Sequence, residues 1–474
     1  MKQALRVMFM IFVATQRRAA ATARYPNSQL QQTTILRGTI ITPDQVIADG
    51  LVTISGSRIV AVTSFAAAKN GLKFVDTDSY ILPGLVDVHN HIEWNFLPRW
   101  RPKVKFVSRA VWQDPDSSDY QKLLKDPHAA TVAEGLRCDA DLYGEVKAIV
   151  GGATSTIGSG KGTCIEGLAR NLDVAAGTGL KGPPGAAMAI PKVVYNTFPF
   201  DSQNGGINPE VAARELDSGA KYLIHVAEGT DSASAYEFKQ MWTYGLLRQG
   251  VSVIHGVAFG KLAFGLMAGH GVGLIWSPRS DFELYGATAD VQAAKLAGVK
   301  IALAPDWSPT GSDGLVEELN YAATWDKRGV FRDSEFVRMV TATPAELAGL
   351  GNRIGSVAPG YEADLLLIRR SPTARASADV AYHAVVHASP ASIRLVMIAG
   401  APIYGDFELM NQLRPHQPFE AIVICGRQKA LNLATSSFGS SHSFHDVSST
   451  LEGALKPFGE QLAPLTSYVE SRRE

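Results

Sequence analysis

The feature that most constrains the fold is an alternation of short apolar runs with helix-like segments between Leu82 and Gly351. Such alternation is typical of parallel strands joined by helical crossovers. His225 and His255 are 30 residues apart, as are Trp276 and Asp306, and this is about the length of one βα repeat. The strand candidates are 84–91, 148–159, 192–198, 221–229, 251–256, 271–277 and 299–306, with a less regular one near 164–174. We therefore predict an α/β fold with a (β/α)8 TIM barrel of about 270 residues.

The segments on either side of this region have a different texture. Short strands broken by turns occupy residues 33–80 and return in 355–425, which predicts one small composite β-sandwich built from both flanks of the barrel domain at 81–354. Residues 1–32 are expected to be a leader or a disordered start. Residues 426–474 are expected to be a C-terminal linker and tail, because 435–450 is rich in serine.

Composition and net charge indicate which kinds of binding partner the protein can have. Hydrophobic residues make up 46% of the chain and charged residues 19%, as in a well-buried enzyme. The formal net charge of zero lacks the electrostatic footprint of a nucleic-acid binder. The apolar run at 7–14 is much shorter than the roughly 20 residues that a bilayer requires. We therefore expect a small-molecule substrate, no nucleic-acid partner, no membrane partner and a possible homodimer.

Two features bear on where in the cell the protein is expected, namely its N-terminal segment and its cysteines. Lys2 and Arg6 precede the apolar run, as in a signal segment, but Arg17 and Arg18 follow it, where positive charge disfavours export. A cytoplasmic location is therefore expected, with export as the alternative. The three cysteines, Cys138, Cys164 and Cys425, are odd in number and far apart, and we expect idle thiols in a reducing compartment.

Five polar residues stand at the carboxyl ends of predicted strands, the face where barrel enzymes place catalysis: His89, His91, His225, His255 and Asp306. His89 and His91 are two apart, so both side chains of this strand point to the same side. Taken singly, each histidine could be an ordinary core residue and Asp306 could be a helix N-cap. Together they predict a cation site, because burying several imidazoles and a carboxylate without a partner is costly.

The strings ILPGLVDVHNHIEW, YLIHVAEG, VIHG and ALAPDWSP resemble the signature strands of the amidohydrolase superfamily. The resemblance covers about Thr33 to Asp406 and implies a metal-centred barrel beside a composite β-sandwich. It also implies that His89, His91, His225 and Asp306 bind the metal. His255 would either bind a second ion or polarise the substrate and the bound water.

The number of metal ions follows from a missing residue. Binuclear relatives bridge two ions with a carboxylated lysine at the end of the fourth strand, and here the lysine of that strand, Lys192, stands at its start. One divalent ion is therefore expected, Zn2+ with Fe2+ as the alternative. Glu228 follows His225 by three residues, which is similar to the pattern of mononuclear deaminases and triazine hydrolases. A solvated loop acid is the alternative interpretation of Glu228.

The residue types then predict a mechanism. A bound divalent ion lowers the pKa of its water from about 15.7 toward 7. Asp306 is predicted to bind the ion and to accept a proton from the metal-bound water as that water attacks the substrate. Glu228 is predicted to pass a proton to the leaving group, and His255 to stabilise the developing oxyanion. These three residues are the catalytic candidates.

Three further residues are predicted to contact the substrate. Arg279 could clamp an anionic group, with an ion pair to Asp281 as the alternative. Trp307 could form a wall of the pocket or pack beneath it. Trp94 begins a long insertion at 93–143, and such a loop at the carboxyl end of a barrel strand is where a substrate wall is expected.

The function predicted from these features is hydrolysis of a carbon–nitrogen bond other than a peptide bond, by deamination or by opening of a ring or amidine. The alternatives are a binuclear amidase, dipeptidase or lactone hydrolase, and a catalytically inactive scaffold relative.

Overall fold

Eight short strands carry the barrel, as predicted from the sequence. The computed structural model describes residues 33–467 except 43, 69–70, 159–163, 165–167, 175–177, 181–190, 197–207 and 371–376. In it the barrel strands pair in parallel in two groups, with the orders β5-β6-β7 and β8-β9-β10-β11-β12. Asn90, just after β5, forms a parallel bridge to Asp306, just after β12, and so joins the two groups. The strands are β5 Leu85–Asp87, β6 Ala153–Thr156, β7 Arg170–Asn171, β8 Val193–Asn196, β9 Lys221–Val226, β10 Val251–His255, β11 Gly273–Trp276 and β12 Ile301–Leu303.

One cluster of buried apolar side chains draws members from all eight strands or their ends, including Val86, Ile157, Leu223, Ile254 and Ala302. Side chains of alternate residues fill the inside of such a barrel, so the apolar cluster forms a packed floor beneath the polar strand ends.

Helices follow the strands around the outside. They are α1 Arg109–Gln113, α2 Asp126–Ala133 and α3 Arg137–Val150 after β5; α4 Pro209–Asp217 after β8; α5 Ser232–Thr243 after β9; α6 Lys261–Gly269 after β10; α7 Pro278–Tyr285 and α8 Val291–Ala297 after β11; and α9 Leu315–Trp325, α10 Asp333–Met339 and α11 Ala342–Leu347 after β12. None of the helices in the described part of the chain has the length and apolar character that a membrane span requires.

The flanks of the barrel meet in one nine-stranded sheet with the order β16-β17-β15-β14-β13-β4-β1-β2-β3. Its strands are β1 Thr33–Ile41, β2 Val46–Ser55, β3 Arg58–Ser64, β4 Val75–Pro83, β13 Leu365–Arg369, β14 Ile393–Ile398, β15 Ala401–Gly405, β16 Glu420–Ile424 and β17 Arg427–Leu431. The two flanks join where β4 pairs antiparallel with β13. Helices α12 Ala378–Val386 and α13 Phe407–Leu413 lie between strands of the second flank.

A buried ion pair connects the sheet to the barrel. Arg170 of β7 is fully buried and donates to both oxygens of Asp364, at 2.6 and 2.9 Å, just before β13. Because an unpaired charge in such a position is very costly, this pair fixes the orientation of the two units.

The predicted C-terminal linker is wrong in two places. β17 lies beyond residue 425 and extends the sheet, and the serine-rich region leads into α14 Phe444–Leu455. Val447, Leu451 and Leu455 on this helix are buried, and Phe444 stacks on Tyr143 of α3 at 5.5 Å between ring centroids. The apolar residues repeat every three or four positions, so the helix is amphipathic and packs against the barrel.

The prediction of idle thiols is also wrong for two of the three cysteines. Cys138 in the first turn of α3 and Cys164 after β6 form a disulfide, and Cys425 lies outside it. Their separation of 26 positions in the sequence does not indicate this pairing, because three cysteines at irregular spacing specify no connectivity.

Candidate metal centre and active site

The residues predicted to bind a cation lie together at the carboxyl ends of the barrel strands. His89 and His91 follow β5, His225 belongs to β9, and Asp306 follows β12. The Nε2 atom of His89 lies 3.1 Å from Nε2 of His225 and 3.2 Å from Oδ1 of Asp306. Nε2 of His91 lies 3.3 Å from the same carboxylate oxygen. Four potential ligand atoms therefore converge on one point.

The backbone at this edge is strained. Ala227, His255 and Asp306 have φ angles of 55°, 70° and 66°, in the left-handed region that residues other than glycine rarely adopt. Each such residue costs of order 1–3 kcal/mol and is retained where the surrounding structure enforces it, commonly at active sites. At Gly158, after β6, the φ is 95° and a Cβ atom would lie 1.7 Å from the carbonyl oxygen of Asn90. Only glycine allows the chain to pass this close to His89 and His91.

Hydrogen bonds behind the imidazoles fix their orientation. Nδ1 of His225 lies 2.9 Å from the backbone carbonyl of Asn196, which can only accept, so Nδ1 carries the hydrogen and Nε2 presents a lone pair to the cluster. Nδ1 of His89 lies 2.7 Å from the hydroxyl of Ser277. The Ser280 hydroxyl donates to Oδ2 of Asp306 at 2.6 Å and leaves Oδ1 facing the imidazoles. Such outer hydrogen bonds are typical of metal ligands.

The ionisation of these groups also suits a cation. Burial lowers the pKa of His89 to about 4, and burial together with the neighbouring His89 holds the pKa of His225 well below its usual value. Burial opposes the charge of Asp306, but the facing His89 and His91 keep its pKa well below the usual range. Neutral imidazoles and an ionised carboxylate are the forms that bind Zn2+. The donor set of three imidazole nitrogens and one carboxylate oxygen therefore fits a divalent transition metal.

Glu228 lies beside this cluster in a network that the sequence did not reveal. The Tyr285 hydroxyl donates to Oε1 of Glu228 at 2.7 Å and accepts from the Trp112 indole at 2.8 Å. Arg109 donates to Oε2 of Glu228 at 3.3 Å. The carboxylate is 6% exposed, so it is not the solvated loop acid that was the alternative interpretation. These contacts hold its side chain toward the cavity.

His255 joins Glu228 to a second buried carboxylate. Its Nδ1 donates to Oδ1 of Asp281 at 2.8 Å, and its Nε2 lies 3.8 Å from Oε1 of Glu228. Burial opposes protonation, but Glu228 and Asp281 outweigh it and raise the pKa of His255 to about 9. Asp281 also accepts from Thr288 at 2.7 Å, which fixes the carboxylate. Asp281 thus holds the imidazole through Nδ1, and Nε2 faces Glu228 and the cavity.

The cavity above the cluster has a volume of about 160 Å³ and mostly aromatic walls. Trp94 and Trp307 line it. Trp94 contacts Tyr120 and Trp307 contacts Trp112, and both of these rings belong to the insertion. The insertion supplies five lining residues, namely Trp94, Arg109, Trp112, Gln113 and Tyr120. The sequence predicts a substrate wall in the stretch 93–143, but no local pattern singles out Arg109, Trp112, Gln113 or Tyr120.

Arg279, which was expected to contact the substrate, is not among the residues that line this cavity. Although it is in the first turn of α7, it faces a separate cavity beside α9, where it lies 3.3 Å from Ser312 and 4.0 Å from Glu317. The alternative, an ion pair with Asp281, is not observed either, because Asp281 binds His255. Residues 279 and 281 are two apart on a helix, so their side chains point in different directions.

Lys192 lies far from the metal ligands, as its place in the sequence suggested. It precedes β8, at the amino end of the strand, and its ammonium binds Glu215 at 2.7 Å. The carboxyl end of β8 instead presents the carbonyl of Asn196 to His225. The geometry therefore provides for one ion among the four converging ligands.

Comparison with known proteins agrees with the fold. Residues 267–403 match the model of the Amidohydrolase family. The chain is 25% identical over 416 residues to a 5-methylthioadenosine/S-adenosylhomocysteine deaminase of Natronomonas pharaonis, a match that covers 79% of this chain and 93% of the relative. The resemblance predicted from the strand motifs is therefore confirmed.

Two solved structures share the architecture. A zinc-bound adenosine deaminase of Xanthomonas campestris has a TM-score of 0.63 and 16% identity, and the match covers 90% of this chain and 98% of the other. A triazine hydrolase of Arthrobacter aurescens has a TM-score of 0.59 and 16% identity, with coverage of 79% and 95%. At this level of identity the likeness concerns the fold, and it confirms the predicted barrel with its separate sheet.

Proposed function

We propose that this chain, an amidohydrolase by family match and by fold, is a metal-dependent hydrolase of a carbon–nitrogen bond other than a peptide bond. Its reaction is the hydrolytic deamination of a flat heterocycle or the opening of an amidine-like ring. The observation that carries the proposal is a cluster of possible ligands at the strand ends: Nε2 of His89 lies 3.1 Å from His225 and 3.2 Å from Asp306, and Nε2 of His91 lies 3.3 Å from Asp306. His255 shares one triad with His89 and Asp306, and Glu228 shares another with His225 and His255. An inactive scaffold would have no reason to retain this set.

The four converging residues would hold one divalent ion, and zinc is the ion bound in the adenosine deaminase of similar fold. When bound, such an ion acts as a Lewis acid that polarises water and the reacting carbon's substituents. Ser280 and the Asn196 carbonyl keep the ligand atoms of Asp306 and His225 directed at the site.

The remaining residues supply proton transfer and charge stabilisation. Glu228, whose carboxylate is held by Tyr285 and Arg109, is placed to take a proton from water and to deliver it to a ring nitrogen or to the departing amine. His255, fixed by Asp281, is placed to donate a hydrogen bond to the oxygen that gains negative charge.

The walls of the cavity favour a planar substrate. Trp94, Trp112, Tyr120 and Trp307 form a group of mutually contacting rings, with Trp112 and Tyr120 4.9 Å apart between centroids. Aromatic faces stack on flat conjugated rings and exclude water from them. The deaminases among the similar proteins act, by their names, on purine compounds, which supports this class.

A substrate panel tests the proposal. Zinc-loaded protein is incubated with aminated purines and nucleosides, aminopyrimidines and aminotriazines, and ammonia release is measured, with the His89→Ala variant as the blank. We expect release from at least one of these classes and none from the variant. Activity confined to lactones, dipeptides or acyl amino acids, or inactivity on the whole panel by protein that retains its zinc, would overturn the proposal.

We also propose that the chain folds in an oxidising compartment. The disulfide between Cys138 and Cys164 supports this, since such bonds are rare in cytosolic proteins and persist in exported ones. The apolar segment at 7–14, the other feature that bears on export, lies outside the described residues.

A further inference from the structure

We propose a second metal site on the surface, formed by Asp333, His383 and His387, which binds a divalent transition metal and joins helices α10 and α12. The two histidines are four residues apart at the end of α12, so their rings lie on the same face of the helix, with centroids 4.3 Å apart. Asp333 approaches from the start of α10, and its Oδ2 lies 2.9 Å from Nδ1 of His383.

The three side chains meet the geometric requirement for a shared ion. One ligand atom from each residue lies within 4.8 Å of the other two, in a second group that is separate from the barrel centre. Small rotations of the Asp333, His383 and His387 side chains would shorten the distances between their ligand atoms to the separations found around a tetrahedral ion. His383 is 65% and Asp333 33% exposed, so an ion can reach them directly from solvent.

The donor set indicates the class of ion. Two imidazole nitrogens and one carboxylate are ligands for Zn2+, Ni2+ or Cu2+, whereas Ca2+ and Mg2+ prefer sites made of oxygen. Three protein ligands leave at least one coordination position for water. The exposure of the side chains makes this site weaker than the buried centre in the barrel, because exposed histidines lose more freedom on binding.

The site links two parts of the fold. Helix α10 follows the last barrel strand, and α12 lies between β13 and β14 of the nine-stranded sheet. The two helices pack against each other, and His387 also contacts Asn320 of α9 at 3.4 Å. A bound ion would therefore cross-link the barrel to the helix of the sheet domain and stabilise the folded chain, since it binds the folded form alone.

Zinc titration of the holoenzyme tests the site. Protein whose barrel centre is filled with one tightly held zinc ion is freed of excess metal and titrated with Zn2+ in a calorimeter. We expect one further equivalent to bind, and we expect the His387→Ala variant to bind it at least tenfold more weakly. The matched control is His270→Ala, which removes an exposed histidine at the end of α6 that makes an edge-to-face contact with Trp242, and it should bind as the wild type does.

Thermal unfolding gives a second measurement that does not depend on activity. Added Zn2+ should raise the midpoint of the wild-type holoenzyme and of His270→Ala, but not that of the double variant His383→Ala/His387→Ala. Because these side chains are on the surface, the variants should fold and keep their catalytic activity. The absence of a further equivalent in the wild type, or its retention in the double variant, would overturn the proposal.

Discussion

Glu228 and His255 are the residues through which the barrel centre would move protons. Each is buried, and each is held by partners from other parts of the chain: Tyr285 and Arg109 for Glu228, and Asp281 for His255. Their roles differ because their partners differ, since Glu228 is surrounded by donors and His255 lies between two carboxylates. Single substitutions can therefore separate proton transfer from metal binding.

Glu228→Gln should lower kcat by roughly 10²–10⁴-fold, because the amide cannot shuttle a proton. The zinc content should stay unchanged, because Glu228 is not among the four converging ligands. Turnover of the substrate identified by the panel, with zinc measured on the same samples, checks this. Glu283→Gln, a change on α7 outside the cavity, is the matched control. A Glu228→Gln variant with wild-type turnover and bound zinc would contradict the proton-shuttle role.

The elevated pKa of His255 predicts how stability changes with pH. The folded pKa is about 9, against 6.5 in the unfolded chain. The contribution of the protonated imidazole to the free energy of unfolding is thus fully present below pH 6.5 and is lost as the pH rises through 9. In metal-free protein, the difference in unfolding free energy between the wild type and His255→Gln should shrink by roughly 3 kcal/mol from pH 6 to pH 10. Denaturant titrations at several pH values measure it, and a constant or growing difference would contradict the assignment.

At the scale of elements, two features hold outlying segments to the barrel: the disulfide between α3 and the segment after β6, and the amphipathic helix α14. Both lie near the insertion that forms the wall of the cavity, since α3 begins within the last residues of the insertion and α14 packs on α3. Their stability therefore supports the shape of the cavity.

The disulfide predicts the thiol count. Denatured but unreduced protein should show one reactive thiol, Cys425, and reduced protein should show three. Cys164→Ser should lower the free energy of unfolding by about 2–4 kcal/mol, with Cys425→Ser as the control. Thiol titration and denaturant unfolding make the two measurements. Three reactive thiols before reduction would show that the bond does not form.

Helix α14 should be part of the cooperative fold. Leu451 is fully buried, and Leu451→Ala should cost about 2–5 kcal/mol of unfolding free energy. Leu296 on α8 is 81% exposed, and the same substitution there should change stability by less than about 0.5 kcal/mol. Equal effects in denaturant unfolding would mean that α14 is not packed in solution.

At the scale of the whole molecule, the barrel and the clustering of the candidate ligands could be predicted because the information is local. Each ligand stands at the end of an apolar strand, and the parallel arrangement then brings the strand ends together whatever their distance in sequence. The serine-rich composition hid α14, although Val447, Leu451 and Leu455 carry a helical period and Ser443 caps the helix.

The partners of the catalytic residues could not be predicted in this way. Tyr285 and Arg109 are 57 and 119 residues from Glu228, and they reach it only through the path of the insertion and of α7. Arg279 shows the converse, because the direction of a side chain on a short helix depends on how that helix packs. The disulfide belongs to the same class of long-range contacts, which no local spacing encodes.

The central claim is that His89, His91, His225 and Asp306 hold one divalent ion at the mouth of the barrel. An anomalous difference map from crystals of the zinc-loaded protein, collected at the zinc edge, tests it most directly. We predict a strong peak within coordination distance of the Nε2 atoms of His89, His91 and His225 and of Oδ1 of Asp306. A map with no peak among these four atoms, from protein that contains zinc, would contradict the account.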